Sequence, residues 1–239
     1  MPKKFRLTLL SLTLLALSSC GSIDFDGLSD QGRFEGSVLV VWVGENESGS
    51  GDGKFVYVPF PGRELKFIRD VRNNSDATLE TIIPGPIYTD GGSIPRVAQP
   101  FKGFSPWGYA PAYMIHDWLF VAKKCNTDGM AEVEERPVGQ MPFKESAEIM
   151  GEAIKALIRQ EMVGKNDVAP GVISSAVAGP ISRSIWFQTG QCQENRLTTE
   201  HEDLIDDFIQ RRGARLRTQG VLPPDRTGDE IRVVGVVEF

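Results

Sequence analysis

Apolar positions along the chain change their period after the first third, and again near the C-terminus. Through the first third they come in short β-branched runs: Ser37–Val43, Lys54–Pro59, Leu65–Arg69 and Leu79–Ile83. Runs of this length, separated by Gly, Asp and Ser, predict short strands, and so a small antiparallel sheet. Residues 44–53 (GENESGSGDG) predict a hairpin loop between the first two. A phosphate-loop reading of those glycines fails, because no Gly-Lys-Ser/Thr and no GxGxxG is present. After about residue 108 the period becomes helical. Tyr109–Lys123 is one candidate helix, and Lys144–Met162 is a second, with Ala147, Met150, Ile154, Leu157 and Ile158 on one face. Val172–Phe187 is a third, interrupted near Gly179-Pro180. Thr199–Arg212 is a fourth, opened by a capping pattern and carrying Leu204, Ile205, Phe208 and Ile209. Ile231–Phe239 is a last β-branched stretch that could return to the sheet. Strands first and helices after predict an α+β domain, the sheet followed by a layer of about four helices.

Composition supports a folded chain: 41% of the 239 residues are hydrophobic and 24% charged, enough apolar surface to offset the ordering entropy. A formal charge of -6, with no basic stripe, argues against a nucleic-acid partner.

The N-terminus reads as an address. Lys3, Lys4 and Arg6 precede a short apolar stretch, Leu7 to Leu17, the order of a secretory signal. Leu17-Ser18-Ser19-Cys20-Gly21 then resembles the lipobox of bacterial lipoproteins, which implies cleavage after residue 19 and lipidation of Cys20. Three acyl chains there would anchor the protein stably to a membrane. Gly21, where Asp would retain a lipoprotein at the inner membrane, resembles lipoproteins exported to the outer membrane, and the expected site is the periplasmic face of that membrane. The expected organisation is a signal over 1–19, a tether over 20–33, one α+β domain over 34–213, and a linker with a terminal strand over 214–239. Two cysteines then remain in an oxidising compartment, Cys125 and Cys192, most simply joined as one disulfide.

Candidate chemistry concentrates in two stretches: Thr89-Asp90-Gly91-Gly92-Ser93-Ile94-Pro95-Arg96, and His116-Asp117-Trp118-Leu119-Phe120. Glycines in the first permit unusual backbone angles, leaving carbonyls and a carboxylate free to converge. Neighbours on a helix project about 100° apart, so His116 and Asp117 can serve a substrate and an ion side by side. Asp90, the carbonyl of Gly91 and Asp117 form a partial oxygen shell suited to Ca²⁺, with His116 left as a base. Ser93 is a further candidate, although no Gly-x-Ser-x-Gly surrounds it. The bland alternative is a structural His-Asp pair, with His116 satisfying a buried carbonyl and Asp117 pairing with Arg96. His201, among Glu200, Glu202 and Asp203, reads as a solvated helix residue. The aromatics Phe101, Phe104, Trp107, Tyr109, Tyr113 and Trp118 read as core by default or as a lipid-facing rim.

Together the two stretches resemble the signature of a bacterial and phage family, domain of unknown function (DUF) family 1353, over roughly Gly36 to Ile158. The family shows Thr-Asp-x-Ala-Ser-x-Pro, then His-Asp-Trp-Leu-Tyr, then a helix with Ala-Asp near its start, matched here by Ala147-Glu148. The resemblance implies no activity. A more distant likeness is to prokaryotic secreted, calcium-dependent phospholipases that cleave the sn-2 ester. It implies His116 as the base that activates water, Asp90 and Asp117 as Ca²⁺ ligands, and Glu148, or else Asp128, as the carboxylate orienting the histidine. Phe120 stands where those enzymes carry Tyr. The expected function is a calcium-dependent hydrolase of lipid or another acyl ester, with a phospholipid or an envelope protein as partner. The competing expectation is a non-catalytic envelope or phage-derived interaction protein that uses the motif as a structural staple.

Overall fold

In the computed structural model the described residues are 23–44, 54–72, 76–89, 91–92, 99–166, 168–219 and 231–239. Six short strands come first: β1 (Arg33–Glu35), β2 (Ser37–Val43), β3 (Lys54–Pro59), β4 (Lys66–Ile68), β5 (Thr81–Ile82) and β6 (Ile87–Thr89). Helices follow: α1 (Ala110–Thr127), a 3₁₀ turn at Arg136–Gln140, α2 (Phe143–Arg159), α3 (Ala169–Val177), α4 (Pro180–Trp186), the single turn α5 (Cys192–Asn195) and α6 (Thr199–Gln219). The last element is β7 (Ile231–Glu238). The fold is α+β.

The strands form two antiparallel sheets, β1-β4-β5 and β6-β3-β2-β7. The terminal stretch does return to a sheet, the four-stranded one: β7 lies beside β2, with Ser37 opposite Glu238 and Val43 opposite Ile231. Phe239 closes the edge by donating its N–H to the Gly36 carbonyl and stacking its ring on Phe34.

The run Val38 to Val43 is apolar at every position because β2 is covered on both faces, as a fully buried strand requires. Val38 points with Tyr57 into the main core, against α1 and α2. Leu39, Val41 and Val43 point the other way, with Val56 and Val58, onto Leu197, Ile205 and Phe208. The expected helical layer is therefore two layers. The acidic helix α6 packs on the far face of the sheet, buried through Ile205 and Phe208.

α1 is central. Ala112, Met114, Ile115, Trp118, Leu119 and Ala122 are all buried, an apolar face widened by buried Tyr113 and His116. α2 packs beside it through Ile149, Ile154 and Leu157, each contributing about 1.5–3 kcal/mol of burial. α3 and α4 are the two halves of the expected third helix: Gly179 leaves helical geometry, and Pro180 opens the second half, where its missing N–H costs nothing.

The expected tether is not free over its whole length. From Ile23 the chain is docked on α2: Ile23 is buried against Ala147 and Ala178, Lys155 donates to the carbonyls of Asp26 and Leu28, and Arg159 donates to that of Gly32. Cys20, the signal and the linker residues 220–230 lie outside the described residues. A disulfide joins Cys125, near the end of α1, to Cys192 at the start of α5.

Candidate active site

The site is where β6 hands the chain to α1. Thr89, the last residue of β6, turns its Oγ1 back to accept the N–H of Gly91 at 2.9 Å. Gly91 adopts φ +85°, and a Cβ there would sit 2.7 Å from the Pro106 carbonyl oxygen. Gly92 donates its N–H to that same carbonyl at 2.6 Å. Both glycines are thus required, for different reasons. Gly91 needs a backbone conformation that L side chains disfavour. Gly92 needs space, since a Cβ would lie 2.6 Å from Cε2 and 2.8 Å from Cζ of Tyr113. Asp90 and Ser93 lie outside the described residues.

α1 carries Tyr113 against this turn and His116 three residues further along. The helix is embedded, so His116 is only 8% exposed, with the Phe120 ring 4.7 Å away on one side. Phe120 in turn meets Trp186 edge-on at 4.9 Å. Nδ1 of His116 is 3.7 Å from Oδ1 of Asp117, close enough to feel the charge and too far for a direct hydrogen bond. Nε2 is buried and has no hydrogen-bond partner among the described residues. Asp117 lies on the half-exposed side of the helix. The pair therefore diverges as helical geometry requires: the base points inward and the carboxylate outward.

Burial pushes the Tyr109 and Tyr113 hydroxyls up from the ordinary phenol value, so both stay protonated donors at neutral pH. At Tyr113 the neighbouring hydroxyls of Tyr109 and Tyr57 and the carboxylate of Asp117 add to that effect.

Of the remaining candidates, Glu148 forms its ion pair with Lys144 one turn earlier on α2, and no hydrogen bond between Glu148 and His116 is present among the described residues. Asp128 accepts the N–H groups of Gly190, Gln191 and Cys192, fastening the loop beside the disulfide and not the histidine. His201 is not solvated. It is buried, and its Nδ1 shares a 2.6 Å hydrogen bond with the Tyr88 hydroxyl, because α6 lies on the sheet face that Tyr88 presents. The aromatic group divides. Tyr109, Tyr113 and Trp118 are core, Phe104 packs against the core, and Phe101 and Trp107 are 66% and 43% exposed on the loop that binds Gly92.

Two features were missed. Tyr113 has a buried hydroxyl with no partner among the described residues, and its signal was its position three residues before His116, on the same helix face. The other is a buried ion cluster, Arg69 with Glu145 and Glu152, the three side chains nearly inaccessible. Glu145 also accepts the N–H and Oγ1–H of Thr78. No periodicity announces such a cluster.

Asp117 and the Gly91 carbonyl are hard oxygen donors, the kind Ca²⁺ takes, and Asp90 would add a third. Among the described residues no group of three or more His, Cys, Asp or Glu side chains converges on one point, and no helix is long and apolar enough to cross a membrane. No protein-family model matches the chain, and neither a curated protein nor a solved structure matches it.

Proposed function

We propose that this chain is a lipid-anchored protein of the bacterial envelope that hydrolyses an acyl ester of lipid, with His116 as the general base. The observation that carries the reading is the buried Nε2 of His116, which has no hydrogen-bond partner among the described residues. A histidine kept only as a structural staple has both ring nitrogens bonded, because an orphaned buried polar atom costs about 1–3 kcal/mol. Among the described residues Nε2 has no such bond, and it is the nitrogen we assign to the incoming water.

His116 Nε2 takes a proton from water as the water oxygen adds to the ester carbonyl carbon. The carbonyl π pair moves onto oxygen, then returns as the acyl C–O bond breaks, and the proton on His116 passes to the departing alkoxide. Water plus ester gives a fatty acid plus an alcohol, and the base is regenerated. Asp117, 3.7 Å from Nδ1, stabilises the imidazolium that forms between the two transfers. Asp90, the Gly91 carbonyl and Asp117 would hold Ca²⁺, which when bound supplies polarisation of the ester carbonyl. Exposed Phe101 and Trp107 border the Gly-Gly turn through Pro106 and suit contact with lipid, aromatic residues being favoured at membrane interfaces. Anchoring through Cys20 would keep the enzyme at its substrate, on the periplasmic side of an outer membrane.

The test is fatty-acid release by the full chain on phospholipid vesicles, with and without Ca²⁺, beside the His116→Ala variant. Calcium-dependent release that the variant loses is the expected result. A folded chain that releases nothing would return the protein to the non-catalytic interaction reading.

A further inference from the structure

His116 is not the only buried polar group on α1 left without a partner. Tyr113, 2% exposed, precedes it by three residues on the same face of the helix, and its hydroxyl has no hydrogen-bond partner among the described residues. A phenol group buried in a core ordinarily finds an acceptor, since its O–H otherwise forfeits the hydrogen bond it made to water. Two such atoms, one turn apart on one helix, have hydrogen-bonding capacity that no described residue takes up.

The phenol's position bears on its role. Gly92 of the β6–α1 turn lies directly against Cε2 and Cζ of Tyr113, the end of the ring that bears the hydroxyl. His116 follows three residues later, so the two side chains are neighbours on one face of the helix. The hydroxyl end of Tyr113 therefore lies against the glycine turn, one helical turn before the base. Burial keeps it protonated, so it is a donor held ready in a site of low polarity.

Building on the acyl-hydrolase reading above, we infer that Tyr113 is a second catalytic residue, whose hydroxyl donates a hydrogen bond to the ester carbonyl oxygen as negative charge develops on it. No covalent change occurs at Tyr113: the O–H bond stays intact, and the donor strengthens its hold as the oxygen becomes an oxyanion.

The experiment compares wild type, Tyr113→Phe and His116→Ala, each as the full chain, on phospholipid vesicles and by thermal unfolding. Tyr113→Phe is expected to lower kcat by about a hundredfold, the scale of losing one oxyanion donor, with KM nearly unchanged. Its melting temperature is expected to stay level or rise, since the change deletes a buried hydroxyl that no described group satisfies. A melting temperature lowered along with kcat would overturn the inference, because the hydroxyl would then be a structural bond. Full activity in Tyr113→Phe alongside an inactive His116→Ala would overturn it and leave the hydrolase reading standing. No release from folded wild type would remove the hydrolase reading and this inference with it.

Discussion

Gly91 and Gly92 fix the path of the chain into the site, and they do so by different physics. Gly91→Ala places a side chain in a backbone region costing about 1–3 kcal/mol and against a carbonyl oxygen 2.7 Å away. We expect urea unfolding to show a loss of at least that size, with Thr89→Ala a milder loss through its hydrogen bond to Gly91. The unusual backbone angle was legible in Asp-Gly-Gly-Ser. The demand for space at Gly92 was not, because it is set by a tyrosine ring brought in by a separate element. Arg69 illustrates the same limit. Strand sequence does not reveal that its charge is buried between two carboxylates of α2, since those partners lie 76 and 83 residues away. Arg69→Met would leave those carboxylates without their cation and cost about 3–5 kcal/mol, read as a drop in the denaturation midpoint.

Among elements, the link between α1 and α5 is tied three ways. The disulfide spans 67 residues, Asp128 grips the backbone of 190–192, and Arg196 reaches Glu132 and Glu135. Closing a loop of that length is worth about 4 kcal/mol in the chain-entropy account, so Cys125→Ala with Cys192→Ala is expected to lose about that much. Hydrogen bonds from the Gly190, Cys192 and Gln191 N–H groups hold the Asp128 carboxyl below its ordinary value of 3.8. Its folded pKa is thus depressed: the stability it contributes is complete above 3.8 and fades as pH falls through that value toward the folded one. Melting temperature should decline across this acid range in wild type and decline less steeply in Asp128→Asn. Periodicity revealed α2, the break at Gly179-Pro180 and the runs that hold β2 to β5 and β7, because each is a local pattern, but not β1 or β6. It did not reveal that α6 covers the far face of the sheet. An unbroken apolar run such as Val38 to Val43 says that both faces are buried, never by what.

At the scale of the molecule, the proposed lipid contact predicts a division between substrates. Phe101→Asp with Trp107→Asp should reduce release from vesicles at least tenfold while leaving hydrolysis of a soluble short-chain ester within about twofold, since neither residue touches His116 among the described contacts. Equal losses on both substrates would assign these aromatics to the fold instead.

The sheet order β6-β3-β2-β7 has a kinetic consequence. Its central strand, among the first parts of the chain to be synthesised, takes one of its two neighbours from residues 231–238, so the pairing joins segments separated by almost the whole sequence. Such contacts form late, because the entropy of closing a long loop must be overcome before they return anything. Until those eight residues are present, one edge of β2 has bare amides and carbonyls, an open template for another chain. A polypeptide wired this way cannot complete its main sheet from its N-terminal half, and truncation within residues 231–239 should convert a folding protein into an aggregating one.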